Sequence, residues 1–288
     1  MEPVSTANEE AIEAWNSVLF DRFRQYRHLL VAGLTAHSDR ALAYFPPRLG
    51  DRALDIGCGF GDTAQQLGGL VGPTGEVVGI DSGERFVEAA RAEAEEAGVE
   101  NVRFEVADVE AAELEDDFDY VFARMGTMFF ANPVPAHRNI RRAMKQGGRL
   151  CNVVWRRKLD NEWLYRAEQV VDRFVEEDED SDELTCGPGP FALADADKTT
   201  QILLSAGFED ISLRRSDLPF LSGRDVDEAV ALVMAIGPAG EALRLAGDQA
   251  EELRPQIESA LRETLGRFEG PDGVVTTAST WIITATAA

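Results

Sequence analysis

Between Leu54 and Ala64 the chain reads LDIGCGFGDTA, with Gly57, Gly59 and Gly61 on alternate positions, Asp55 before them and Asp62 after. Glycine runs cost backbone entropy, so this one marks a sharp turn or a ligand pressed close to the main chain. Two further carboxylates close apolar runs downstream, Asp81 in VVGID and Asp108 in FEVADVE. Asp81 follows Gly61 by twenty residues, where a carboxylate can accept hydrogen bonds from both hydroxyls of a ribose. Asp108 could take an adenine amino group while the Val109 N–H meets a ring nitrogen. A dinucleotide fingerprint, G-x-G-x-x-G, is not matched, because the third glycine comes one residue early and Asp62 stands in its place. A pyrophosphate would be repelled by Asp55 and Asp62. A phosphate-free nucleoside carrying positive charge would not.

The elements that must position these groups alternate. Short apolar runs at 53–56, 77–80, 102–106, 118–123 and 150–155 read as strands. Helical patterns at 62–70, 84–97 and 133–144 separate them, with stops at Gly98 and at Gly147–Gly148. Such β-α-β-α order demands a mostly parallel sheet with helices on both faces and right-handed crossovers. Ligands then bind beyond the C-terminal strand ends, where the glycine loop and both acidic strand tips fall. Past Trp155 the pattern loosens. Helices are expected at 161–177 and 195–206, a strand at 211–215, helices in two or three pieces over 225–266 with a break near Gly237-Pro238, and a final strand at 279–287. No linker divides the chain, so a single domain is expected: a helical lid (1–50), a binding core (51–155) and two helical cap insertions (156–194 and 217–278).

LDIGCGFGD, VVGIDS, VADVE and FDYVFARMGTMFF at these spacings resemble the class I S-adenosylmethionine-dependent methyltransferases. The nearest group is the small-molecule enzymes related to quinone-biosynthesis C-methyltransferases. The likeness covers Arg52 to Trp155 well, and extends more loosely through FANP, GPGPF and AGFEDI. It implies a Rossmann-like α/β fold with seven strands, the last antiparallel, so that 211–215 and 280–286 become strands six and seven. It also implies S-adenosyl-L-methionine as cofactor. Asp55 and the backbone of Gly57, Cys58, Gly59 and Gly61 would hold the methionine end. Asp81, with Ser82 beside it, would hold the ribose, and Asp108 with Val109 the adenine. The backbone of Arg124 would line the sulfonium side.

The reaction expected is in-line displacement of the methyl group by a small-molecule acceptor, which needs alignment and dryness more than a nucleophilic side chain. If a base is needed, His28 in the amphipathic segment LFDRFRQYRHLL is the candidate, although a surface or packing histidine is the stronger reading. His137 is expected to face solvent. Trp15, Met128, Phe129, Trp155 and Phe191 are the candidate acceptor contacts. No His, Cys or carboxylate spacing indicates a metal site. Two rival readings are a nicotinamide-dependent oxidoreductase and a non-catalytic binder of the same cofactor.

The 288 residues carry 52 Asp plus Glu against 28 Lys plus Arg, a net charge of -24. That sign argues against nucleic acid or anionic membranes as partners. The densest acidic run, EEDEDSDEL at 176–184, reads as a solvated loop. The opening MEPVSTANEEAIEAW lacks the basic and apolar regions of a signal peptide. Three widely spaced cysteines suggest no disulfide framework. A cytoplasmic monomer or homodimer is expected.

Overall fold

The computed structural model describes residues 6–175 and 188–288; the acidic run at 176–184 and Cys186 lie outside the described residues. The chain begins with α1 (Thr6–Ala14), α2 (Phe20–Gln25) and α3 (Arg27–Tyr44). The core follows as β1 (Arg52–Ile56), α4 (Asp62–Val71), β2 (Glu76–Asp81), α5 (Glu84–Glu96), β3 (Val102–Val106), β4 (Phe118–Arg124), α6 (Pro133–Ala143) and β5 (Met144–Trp155). After it come α7 (Glu162–Val171), α8 (Ala196–Ala206), β6 (Phe208–Gly223), α9 (Val226–Ala235), α10 (Gly237–Leu245), α11 (Gly247–Leu265), the two-residue β7 (Glu269–Gly270) and β8 (Gly273–Ala287).

The sheet runs β3-β2-β1-β4-β5-β8-β6, with β7 beside β8. β1 to β5 are parallel, and β8 is antiparallel to both β5 and β6. Burial on both faces explains why the first five strands read as nearly unbroken apolar runs. On one face Leu67 of α4, Val87 and Ala90 of α5 and Leu42 of α3 pack on Ala53, Val77, Phe122 and Val153. On the other, Ile140 of α6 and Leu203 of α8 cover Leu54, Val78, Val121 and Leu150. Strand order reverses at β1, whose neighbours are β2 and β4. The loops leaving these three strands therefore diverge and open a crevice at their C-terminal ends.

Three expectations are corrected. β6 is 16 residues long and β8 15, because they pair as an antiparallel ribbon from Phe208 with Ala287 to Gly223 with Val274. Pro219 sits within β6, which is tolerable because β6 is the sheet edge. β5 begins at Met144 and runs through Gly147–Gly148, absorbing them in a register shift against β4. His137 does not face solvent. It is 1 % exposed, on the inner side of α6 with Ala136 and Ile140, its Nδ1 2.7 Å from the Pro133 carbonyl.

Candidate functional site

The loop after β1 folds back on the sheet: the amides of Gly57 and Cys58 donate to the Ile80 carbonyl, at 2.9 and 3.0 Å, and that of Gly61 to the Cys58 carbonyl. Gly57 has φ +67°, and an added Cβ would stand 2.7 Å from the Gly126 Cα, so two main chains cross here with no side chain between them. Gly59 has φ +54°, yet an added Cβ would meet nothing within 4 Å. Its neighbours leave open space where a ligand can approach the backbone. Gly61 is kept small from the other side, where Phe104 and Ala90 pack on it.

Asp81, at the tip of β2, accepts from the Gly59 amide (2.9 Å) with one oxygen and from the Gly83 amide (2.8 Å) with the other. It thus ties the glycine loop to the start of α5. Burial raises its pKa, partly offset by those two amides. Asp55 lies beneath the loop, 0 % exposed. It accepts from the Thr63 hydroxyl at 2.6 Å and leaves Oδ1 without a partner. Burial lifts its carboxyl to about 7; Thr63 and Arg124 oppose the shift, and the neighbouring Asp62 and Asp81 add to it. Arg124, after β4, turns its guanidinium to Asp62 at 2.7 Å and to the Ser38 hydroxyl at 3.3 Å. Three acidic groups, Asp55, Asp62 and Asp81, thus act on one another beside a single guanidinium that is bound to Asp62, a balance that suits a cation and opposes a phosphate.

A single cavity of about 820 Å³ joins this loop to the cap helices. Gly57, Cys58, Gly59, Asp81, Ser82, Asp108, Val109 and Arg124 line it, whereas Asp55 and Gly61 support the loop from below. Asp108 accepts from the Glu110 amide at 2.9 Å. Trp15, Met128, Phe129, Trp155 and Phe191 also line the cavity, and Trp163 with them. Trp15 packs edge-on against Phe23 and Phe129, with centroids 5.2 and 5.1 Å away. Met128 accepts the Trp155 amide on its sulfur at 3.3 Å, and Trp163 is stacked on Phe220 at 4.4 Å. Burial raises the pKa of the Cys58 thiol and keeps it neutral.

The structure does not bring His28 to this site. Its Nε2 faces Glu228 Oε1 at 3.0 Å on an exposed surface, and the cavity lining does not include it. His37 lies behind Trp155, fully buried, with Nδ1 3.1 Å from the Thr280 hydroxyl. Two groups escaped sequence reasoning. One is the latch of the N-terminal helices, in which Arg85 binds Asp21 at 2.8 Å, close to where Asn16 of the expected lid donates to the Ser82 carbonyl at 3.4 Å. The other is the set of cap residues Arg22, Glu168, Ile236 and Glu241, which line the far end of the cavity. Neither carries a local spacing signal, because both arise only where distant segments meet.

The residues present fit S-adenosylmethionine: a backbone hollow without Cβ obstruction, a carboxylate at the next strand tip, and more acidic than basic groups beside the loop. Comparison with known proteins agrees. A demethylmenaquinone methyltransferase of Staphylococcus aureus is 38% identical over 102 residues, which is 35% of this chain and 42% of that protein. The chain thus matches less than half the length of this relative. The YcgJ protein of Bacillus subtilis has the same fold, with a TM-score of 0.55 at 21% identity over 86% of this chain and 98% of its own. A chain of the Haloferax volcanii complex containing the Trm112 methyltransferase activator gives 0.54 at 19% identity, covering 94% of this chain and 97% of that one. A model of the methyltransferase domain matches residues 48–204. Spanning more than half of its length, that match places the chain in the methyltransferase domain family, in the class I S-adenosylmethionine-dependent group that includes relatives of the quinone C-methyltransferases.

Proposed function

We propose that this chain transfers a methyl group from S-adenosylmethionine to a predominantly apolar small molecule. The observation that carries the reading is the continuity of one cavity, from the open face of Gly59 and the carboxylate of Asp81 to a chamber walled by Trp15, Met128, Phe129, Trp155 and Trp163. When bound, the cofactor supplies an electrophilic methyl group on its sulfonium. Asp81 would take the ribose hydroxyls with the lone pairs its two amide donors leave unused. The Arg124–Asp62 pair lies beside the loop, where an amino-acid end carrying both charges would lie. Trp15 and Phe23, on the N-terminal helices, exclude water from the crevice. None of the three histidines lines the cavity, so the acceptor atom must be nucleophilic without histidine assistance.

The Staphylococcus aureus relative suggests a quinone-like ring as one acceptor to test. The helices α9, α10 and α11, however, lie outside the 48–204 match, and residues 235–245 wall the acceptor end. Acceptor choice is therefore a property of this chain's own cap. Titration calorimetry tests the cofactor reading: S-adenosylhomocysteine should give a saturable heat and NADH none. Heat from NADH alone would make the site a dinucleotide site. Methyl transfer to a panel of apolar acceptors then separates an enzyme from a passive binder.

A further inference from the structure

Four cationic side chains line the cavity: Arg22, Arg27, Arg124 and Lys158. Three of them are neutralised. Arg27 pairs with Glu93, Arg124 with Asp62 at 2.7 Å and Lys158 with Glu168 at 2.6 Å. Arg22 pairs with no carboxylate among the described residues. Its guanidinium donates from Nη1 to the Ala235 carbonyl, at 3.1 Å, at the end of α9. Glu241, the nearby cavity carboxylate, is engaged with Arg244 at 2.9 Å. Arg22 is half-buried; burial, then the Arg244 charge, lowers its pKa, and the Glu241 charge opposes the shift. A cation held partly out of water, whose nearest carboxylate is bound to a second arginine, is under-compensated, and more so in a wall that is otherwise mostly apolar.

Among the described residues the two ends of the cavity therefore carry opposite charges that form no ion pair: Asp81 at the glycine loop, Arg22 at the cap. We propose that Arg22 is the anchor for an acidic group on the methyl acceptor, which makes the acceptor an amphiphilic organic anion: an apolar body bearing a carboxylate or sulfonate-like group. This rests on the reading that the cap end holds the acceptor. The body lies between Met128, Trp155 and Trp163, the anion meets the free N–H groups of Arg22, and the atom to be methylated points away from it, toward the loop. A guanidinium offers several donors in one plane, and only one is used by Ala235, so anion binding and the contact with α9 are compatible. The cavity's charge pattern also disfavours the reverse orientation, which would set the acid beside Asp81.

Two probes that differ only by a sulfonate test this without knowing the acceptor: 8-anilinonaphthalene-1-sulfonate and neutral N-phenyl-1-naphthylamine, followed by fluorescence on the cofactor-free chain. The expected result is binding of the sulfonate about tenfold tighter than the neutral probe, despite the protein's net negative charge. Arg22→Gln should lower sulfonate affinity about tenfold and leave the neutral probe within about twofold, with Arg22→Lys recovering part of the loss. If Arg22 serves only to clamp α2 to α9, Arg22→Gln weakens both probes alike, and the proposal falls. Equal affinities in the unaltered protein overturn it as well. Competition tests the same anchor without any substitution: decanoate should displace the sulfonate probe and decanol should not, and equal displacement by both would refute a charge-selective site. Because no cofactor is present, failure here is separate from failure of S-adenosylhomocysteine to bind.

Discussion

At the scale of single residues, two aspartates near the glycine loop do different work. Asp81 meets the cavity and holds two backbone amides. On the reading proposed above, Asp81→Ala removes the acceptor that would face the ribose, and it leaves the Gly59 and Gly83 amides without this partner, so S-adenosylhomocysteine binding should weaken by about 1–3 kcal/mol. Calorimetry on a variant whose melting curve is still cooperative measures this, and an unchanged dissociation constant would count against the site. Asp55 never touches the cavity, and its effect is on stability. Its carboxyl rises from an ordinary 3.8 to about 7 through burial. An acid whose pKa rises on folding contributes its full stability below the unfolded value and loses it as pH climbs through the folded one. Three units correspond to something on the order of 4 kcal/mol between pH 4 and pH 7. Asp55→Asn keeps an acceptor for Thr63 and removes the titration. Urea denaturation should show the two proteins nearly equal at about pH 3.5, below the unfolded value, the variant already ahead at about pH 5, and clearly more stable at about pH 8. His37 and His137, both lowered to about 4 by burial, lose stability in the opposite direction as pH falls from 6.5, equally in both proteins, and so cancel in the comparison. A pH-independent difference would mean that Asp55 is not the buried acid the structure makes it.

At the scale of elements, the N-terminal helices form a cover whose closure depends on a few exposed contacts. Between α1 and α2 lies a π-helical stretch, Trp15–Leu19, with Ser17 at φ -117° and ψ -105°, outside helical values. A helix is easily reshaped at such a bulge. Just beyond it Asp21 receives Arg85, and Arg85 also covers the Phe20 ring at 4.1 Å. The glycine loop lines the same cavity as these helices, so on the reading proposed above the cover would open for cofactor exchange. Arg85→Ala should therefore speed trypsin cleavage at Arg22, Arg24 and Arg27 severalfold and quicken S-adenosylhomocysteine release, while the melting temperature stays nearly the same. Unaltered cleavage would mean that the aromatic contacts alone hold the cover. The sequence did not disclose this latch, because it joins residues 64 positions apart. It did disclose β1 to β5 and the acidic strand tips, because strands buried on both faces must be apolar, and the polar residues ending them then stand out. β6 was harder: an edge strand with one open face alternates, as in ISLRRSDLP, and only pairing with β8 reveals its length. His137 misled for a related reason. A polar ring in an arginine-bearing helix reads as outward-facing, yet its Nδ1 is satisfied by the helix's own first turn.

At the scale of the whole molecule the dominant quantity is the net charge of -24, and the direction of its effect follows from two length scales. Ion pairs such as Arg103–Glu76 at 2.8 Å and Lys145–Asp119 at 2.7 Å act at contact, well inside the roughly 8–10 Å over which about 0.1 M salt screens. Each exposed pair contributes at most about 1 kcal/mol. The unpaired excess of acid repels over longer distances, up to roughly 30 Å at about 0.01 M salt, and compaction brings those charges closer than they lie in the unfolded chain. Raising salt therefore removes more repulsion than attraction. The melting temperature should climb steadily from about 0.01 M to 1 M KCl, where the screening length falls to about 3 Å, and most of the gain should come at the low end. Sodium chloride should act like potassium chloride, since screening depends on ionic strength, whereas sucrose at equal osmolarity should not reproduce the low-salt rise. The same series separates this repulsion from the chemistry of the cavity: an anion anchored at Arg22 should bind better as salt first relieves repulsion from the acidic surface, then worse as the direct contact is screened. A melting temperature flat or falling across the low-salt range would show that the acidic excess is already offset by its local partners.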